Sequence, residues 1–389
     1  MFVTVGVGLL VGCVVTSIST LFSSSSLNLT QTLATTFKSL NLGVQLGDAL
    51  ALPTINKEIA YEWGTRLLCG LPAGLSSHKV IDQKRAIAEA LRSDIDLYWQ
   101  NGLIIDIFRE LMVKKLPFDV KARHDHKIAL GVNRRGEVVY YDFAGSFPHF
   151  LIGGISGGGK SVLLHSILTQ LALGPQPDLY LNDLKGGVEL GLYRDLAITK
   201  GFGTTIRDVA RLATEAETEM ERRYAIMARN GSQSWDGKKL IFVWDEMADM
   251  KIGKGDPEAA VKASIKMTLT RISAKGRAAG VILLLCTQRP DASVVDGLIK
   301  TNIATSLCFR TRDDTQSRII LDNNDAADLP DVPGRCIFQQ AHDVTLQTYF
   351  ITYEQAKKLI AQCKRKAVES NEPSTDKGYA MDSNIGELG

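Results

Sequence analysis

Residues 149–173 read His149-Phe-Leu-Ile-Gly-Gly154-Ile155-Ser156-Gly157-Gly158-Gly159-Lys160-Ser161-Val-Leu-Leu-His-Ser-Ile-Leu-Thr-Gln-Leu-Ala-Leu173. An apolar strand pattern runs into a glycine-rich loop that matches GxxxxGK[ST], and an apolar helix pattern follows, closed by Gly174-Pro175. The chemistry needs these residue types at this spacing. Glycines at Gly154, Gly157, Gly158 and Gly159 let the backbone N–H groups of Gly154 to Ser161, including Ile155 and Ser156, curl around phosphate, and the helix N-terminus adds positive potential. Lys160 is placed to reach the β- and γ-phosphates of a nucleotide, and the Ser161 hydroxyl to ligate Mg²⁺. The expected cofactors are ATP and Mg²⁺, and the helix is expected to be amphipathic.

Downstream, Leu240-Ile-Phe-Val-Trp-Asp245-Glu246 is an apolar run that ends in two carboxylates. Behind a phosphate loop, that pattern assigns Asp245 to Mg²⁺, directly or through water, and Glu246 to the attacking water as general base. Adjacent carboxylates also separate hydrolases from small-molecule kinases, which activate no water. A third apolar run, Val281 to Cys286, leads into Thr287-Gln288-Arg289-Pro290. A polar residue at the C-terminal end of a strand beside the phosphate-loop strand faces the γ-phosphate, so Gln288 is the candidate sensor.

Strand and helix patterns alternate from about residue 124 to 352. Such alternation predicts an α/β fold with a mostly parallel sheet and helices on both faces. A small α/β assembly domain is expected over 58–120. It has a strand in Thr65-Arg-Leu-Leu-Cys-Gly-Leu-Pro72, a helix over Ser77–Arg92, and a hairpin from Asp94 to Phe108 turning at Asn101-Gly102. The motor domain is expected over 121–363, and the polar stretch 364–389, with breakers at Pro373 and Gly378, as a disordered tail.

Residues 1–23 form a candidate transmembrane anchor. Phe2 to Phe22 is apolar, about long enough to span a bilayer, and lacks the positive start of a signal peptide. The first positive charge, Lys38, follows the run, which orients the body to the cytoplasm at the cell membrane. Gly8 and Gly12 have the spacing of close helix pairing, as chance also gives. Residues 24–57, polar and Ser/Thr-rich at first, are expected to be a tether. A net charge of +2 excludes a nucleic-acid coating protein but not a motor that grips DNA with a few loops. The six cysteines contain no CxxC pair, which argues against a metal site or a disulfide framework and for reduced thiols.

Phe147 to Ser161 resembles the phosphate-loop segment of the FtsK/SpoIIIE family of DNA translocases. Asn182-Asp183-Leu184-Lys185, with Glu189-Leu190, is similar to that family's Asp-Pro-Lys segment, with Leu184 in place of proline. Glu219-Met-Glu-Arg-Arg-Tyr224 and Trp244-Asp-Glu-Met-Ala-Asp249 are similar to two further signatures. Lys275-Gly-Arg-Ala-Ala-Gly280, Thr287-Gln-Arg-Pro290, Gly297-Leu-Ile-Lys-Thr-Asn302 and Ser317-Arg-Ile-Ile-Leu-Asp322 keep its order and spacing. The likeness covers residues 128–340, and more weakly 61–118. The resemblance implies a RecA-like P-loop NTPase, a homohexameric ring, ATP sites between subunits and double-stranded DNA in the channel. It also implies an arginine that completes the neighbour's site: Arg277 first, then Arg271, then Arg318. Lys300, Arg310 and Arg312 are candidates for DNA or interface contact.

The stretch after Thr352 is too short for the winged-helix domain of full-length translocases. The architecture therefore looks like the compact FtsK-like ATPases of conjugative elements, the TcpA-type coupling proteins, with a relaxase or membrane transfer machinery as implied partners. Two other readings stay open: a secretion motor that moves protein, and a nucleotide-gated scaffold without turnover.

Overall fold

The computed structural model describes residues 29–119, 126–295 and 297–369, which fall into two compact units. Unit 1 runs up to Met112 and takes in Arg134–Gly136. It opens with helix α1 (29–39) and a two-stranded ribbon of β1 (Val44–Leu46) and β2 (Ala49–Ala51). An antiparallel sheet follows, built from β3 (Thr54–Tyr61), β4 (Gly64–Gly70), β5 (Ile95–Trp99) and β6 (Leu103–Phe108), in the order β3-β4-β6-β5. Helices α2 (Ser77–Ile81) and α3 (Lys84–Leu91) complete it, so the single helix expected over 77–92 breaks at Asp82-Gln83. The Asn101-Gly102 turn joins β5 to β6 as expected, with both residues at positive φ.

The expected tether is corrected within the described residues. Leu33 and Phe37 of α1, one turn apart, and Leu42 are buried against Leu67, Cys69, Val80 and Ile87. The threonines of Thr30–Thr36 hide this stripe in the sequence, yet two large side chains at i and i+4 suffice to seat a short helix. Residues 1–28, including the expected anchor and its glycine pair, lie outside the described residues. No helix among the described residues is long and apolar enough to cross a membrane.

Unit 2 runs from Val113 to Asn133 and onward from Glu137. Its strands are β7 (Leu116–Pro117), β8 (Lys127–Asn133), β9 (Val138–Asp142), β10 (Phe150–Gly153), β11 (Asp178–Asn182), β12 (Thr199–Gly203), β13 (Leu240–Trp244), β14 (Val281–Thr287), β15 (Thr305–Phe309), β16 (Arg335–Gln339) and β17 (Asp343–Phe350). Its helices are α4 (Lys160–Leu173), α5 (Ile206–Asn230), α6 (Ala259–Ala279), α7 (Gly297–Asn302), α8 (Asp314–Leu321) and α9 (Tyr353–Glu369). The sheet order is β12-β11-β13-β14-β10-β15-β16-β17-β8-β9, with β7 beside β17. From β12 to β15 every neighbouring pair is parallel, and from β15 to β9 every pair is antiparallel. The sheet is therefore mixed, with its parallel half carrying the chemistry. Fully apolar strands such as Val281–Cys286 sit in its middle because both faces are covered, by one hydrophobic cluster around α4 and another around α5 and α6.

Two further expectations are corrected. Helix α4 is not amphipathic: Leu163 to Ala172 are buried all round, because α9 packs over the side that the sheet leaves open. Helix α9 also continues to Glu369, so residues 364–369 of the expected tail are helical. The remaining tail residues, with Pro373 and Gly378, lie outside the described residues.

Candidate functional site

The phosphate loop joins the C-terminal end of β10 to α4, and its shape depends on glycine. Gly154, Gly157 and Gly159 have φ of +139°, +83° and +121°. A Cβ on Gly159 would stand 2.9 Å from the Gly334 nitrogen, so any side chain there would force the two backbones apart. The loop is braced from behind: Ile155 N–H donates to Arg310 O at 3.0 Å, and Gly334 N–H donates to Gly158 O at 2.7 Å. Ser161 lies in the first turn of α4, where backbone N–H groups lack helical partners, and its hydroxyl has no partner among the described residues.

Strand register brings the acidic pair to this loop. The strands β11, β13 and β14 lie side by side and parallel, so their C-terminal ends gather on the edge where β10 ends. Lys160, 3% exposed, donates from Nζ to Asp245 O at 2.5 Å and to Asp245 Oδ1 at 3.2 Å, and lies 3.6 Å from Glu246 Oε2. Glu246 in turn accepts the Gln288 backbone N–H on both oxygens, at 3.1 and 3.0 Å, and the Ala248 N–H at 3.0 Å. The structure thus brings Lys160 of the phosphate loop, Asp245, Glu246 and Gln288 together. The contribution of Gln288 differs: its main chain, not its side chain, touches the acidic pair. A glycine-shaped phosphate cradle, the Ser161 hydroxyl and the Asp245 carboxylate beside Lys160 make a donor set that fits a nucleotide with a divalent cation.

One cation of the site had no role in the sequence reading. Lys185 Nζ lies 3.2 Å from Asp245 Oδ2 and 3.9 Å from Glu189 Oε1. Desolvation works against its charge, but Asp245, Glu189 and Glu246 together outweigh this and its pKa is raised. The buried Asp183 shapes the Lys185 loop, accepting the backbone N–H groups of Lys185, Glu189 and Leu190 at 3.0, 2.8 and 2.9 Å. The signal was the short Asp183-Leu-Lys185 string at the end of an apolar run, but its meaning needed the register of β11 against β13.

The arginines separate. Arg277 is exposed and has no side-chain partner among the described residues, whereas Arg271 is tied to Glu217. Both lie on α6, which enters β14 at its N-terminal end. Arg277 stands at that end, and the phosphate loop lies at the other, roughly 20 Å away for a strand of this length. Arg277 therefore does not reach the site of its own chain. Arg318 is exposed on α8. Lys300 is occupied, donating to Arg318 O and to Asp322, while Arg312 is exposed on the loop before α8. Arg310 lies beside the phosphate loop, 3.4 Å from Asp331, and helps line a cavity of about 130 Å³ with Ile155–Gly158 and Pro330–Pro333.

The Glu219-to-Tyr224 string proves to be structural. The buried Arg223, paired with Glu219 at 2.7 Å, donates to the carbonyls of Ala279 and Gly280, both at 3.0 Å. It thereby caps the C-terminus of α6 and fixes the entry into β14.

The FtsK/SpoIIIE family model matches residues 112–241. The DNA translocase FtsK of Lactococcus lactis subsp. lactis (strain IL1403) is 26% identical over 387 residues, covering 90% of this chain and 48% of that protein. The chain thus spans about half the length of that relative, and 38% of the DNA translocase FtsK of Streptococcus pneumoniae, which is 28% identical. Among solved structures, the monomer of the pCW3 conjugation coupling protein TcpA with ATPγS matches with a TM-score of 0.62 and 25% identity. That match covers 86% of this chain and 99% of the other. The fold, the converging strand ends and these likenesses agree: the chain is similar to the FtsK/SpoIIIE family of P-loop ATPases, whose model it matches over residues 112–241.

Proposed function

We propose that this chain hydrolyses ATP to move double-stranded DNA, working as a homohexameric ring and serving as a membrane-linked coupling protein in the transfer of a conjugative or other mobile element. The observation that carries the reading is the contact of Lys160 with both Asp245 and Glu246, which unites a phosphate cradle with a metal ligand and a base. A scaffold without turnover has no use for a carboxylate held by two main-chain N–H groups. The near-complete coverage of TcpA supports the coupling role, and with it a relaxase or membrane transfer machinery as partner.

In this reading, residues 154–161 hold the phosphates of ATP, and Ser161 and Asp245 hold Mg²⁺. Bound Mg²⁺ draws negative charge from the phosphates. Lys160 adds its own charge to the cradle. Glu246, with its oxygens fixed by Gln288 and Ala248, is aimed to accept a proton from water. Arg277 completes the site of the next subunit.

The test is ATP hydrolysis by the full chain with and without duplex DNA. DNA-stimulated turnover is expected. Hydrolysis indifferent to DNA would favour a motor that moves protein, and no hydrolysis would overturn the enzyme reading.

A further inference from the structure

The two carboxylate oxygens of Asp245 have different neighbours. Oδ1 faces the phosphate loop, where Lys160 meets it at 3.2 Å. Oδ2 points the other way and is met at 3.2 Å by Lys185. Asp245 is 1% exposed, so water supplies little that could fix its rotamer, and a buried carboxylate with one free oxygen can turn about χ2. Lys185 removes that freedom.

Lys185 is itself placed by a built chain of contacts. The last residues of β11 and β13 pair as Asn182 and Trp244, and Asp245 N–H donates to Asn182 O at 3.1 Å. The two strand ends therefore leave the sheet together. Asp183, wholly buried, gathers three backbone N–H groups of the following loop, which turns the chain back at once and lifts Lys185 over Asp245. Glu189, on the far side of the same loop, lies 3.9 Å from the Lys185 ammonium. A loop without the Asp183 clamp would let a long, mobile side chain wander at considerable entropic cost to any fixed contact.

We propose that Lys185 is a positioning residue of the nucleotide site, holding Asp245 Oδ2 so that Oδ1 stays turned toward the phosphate loop for the divalent cation. Partners of this kind matter because a ligand carboxylate must be oriented before the metal arrives, and their loss commonly weakens metal binding by about 10- to 100-fold. The inference rests on the nucleotide-binding reading above and assigns no chemistry to Lys185 itself. It also explains why the Asp183-to-Lys185 string and the Asp245-Glu246 pair, far apart in sequence, belong to one device.

The test titrates Mg²⁺ against binding of a fluorescent non-hydrolysable ATP analogue by the full chain. It compares the wild type with Lys185→Met, which keeps the stem and removes the charge, and Lys185→Arg, which keeps a donor. Binding of the analogue in EDTA is measured alongside. For Lys185→Met the half-saturating Mg²⁺ concentration should rise about tenfold or more. Its affinity in EDTA should stay within about threefold of wild type, and Lys185→Arg should recover most of the Mg²⁺ response. An unchanged Mg²⁺ midpoint in Lys185→Met overturns the proposal, as does a lower one, which would make Lys185 a competitor of the metal. A lower melting temperature with an unchanged Mg²⁺ midpoint would mark it as merely structural and also overturn it. Failure of the wild type to bind the analogue at all would overturn the nucleotide-binding reading instead, and this inference with it.

Discussion

The backbone N–H of Gln288 donates to both carboxylate oxygens of Glu246, at 3.1 and 3.0 Å, across 42 residues of sequence. The end of the central strand β14 thus fixes the Glu246 carboxylate through a main-chain N–H. A carboxylate held this way cannot swing out of line without breaking the strand end.

Replacing Glu246 by Gln keeps an oxygen for those N–H groups but removes the proton acceptor. Turnover should fall by about 10² to 10⁴ while ATP affinity stays near that of wild type. Steady-state hydrolysis paired with equilibrium nucleotide binding checks both halves. Normal turnover would place the base elsewhere.

Lys160→Ala removes the side-chain cation of the phosphate cradle. A charge-assisted contact of this kind is worth about 3 kcal/mol, so nucleotide affinity should fall about a hundredfold or more and hydrolysis should vanish. Isothermal titration with ATP reads the loss directly, and an unchanged affinity would remove the P-loop from the mechanism.

Arg277 stands at the wrong end of β14 to serve its own chain, and no neighbouring side chain among the described residues restrains it. Arg277→Ala should therefore bind ATP normally and hydrolyse it roughly a thousandfold more slowly. Mixing it with Glu246→Gln should restore part of the activity, because some interfaces regain both intact partners. If rings shown to be mixed recover nothing, the role passes to Arg271 or Arg318.

His149 carries the pH prediction. Its ring is buried, Nδ1 accepts the Leu283 N–H at 3.1 Å, Nε2 has no partner among the described residues, and burial lowers its pKa to about 4. The unfolded chain takes up this proton near pH 6.5 while the folded chain refuses it until about pH 4. Stability is therefore full above about pH 6.5 and declines by up to about 3 kcal/mol as pH falls to 4. His149→Gln, which can still accept from Leu283, should show a shallower loss between pH 7 and 4.5 in urea denaturation. Identical slopes in the two proteins would show that His149 titrates freely.

The parts that were legible in the sequence are those whose chemistry sits in one short string. Gly154–Ser161 and Asp245-Glu246 needed only a strand before and a polar end after. Asn101-Gly102 announced its turn because only such a pair tolerates two positive φ values in a row. What stayed hidden depends on residues meeting from afar. Lys185 acquires a role only through the register of β11 and β13. Gln288 acts through an N–H that every residue but proline possesses. Helix α1 escaped notice because Leu33 and Phe37 are diluted by threonines, and the α4 pattern could not reveal that α9 would cover it.

That cover has a consequence for the order of events in the cell. Ala172 of α4 and Cys363 of α9 touch across 191 residues of chain. At about 5–20 residues per second, a ribosome needs roughly 10–40 s to make what lies between them. During that interval the helix behind the nucleotide cradle has an apolar flank with nothing on it. That flank closes only once α9 has been made, after the phosphate loop and both carboxylates are already in the chain.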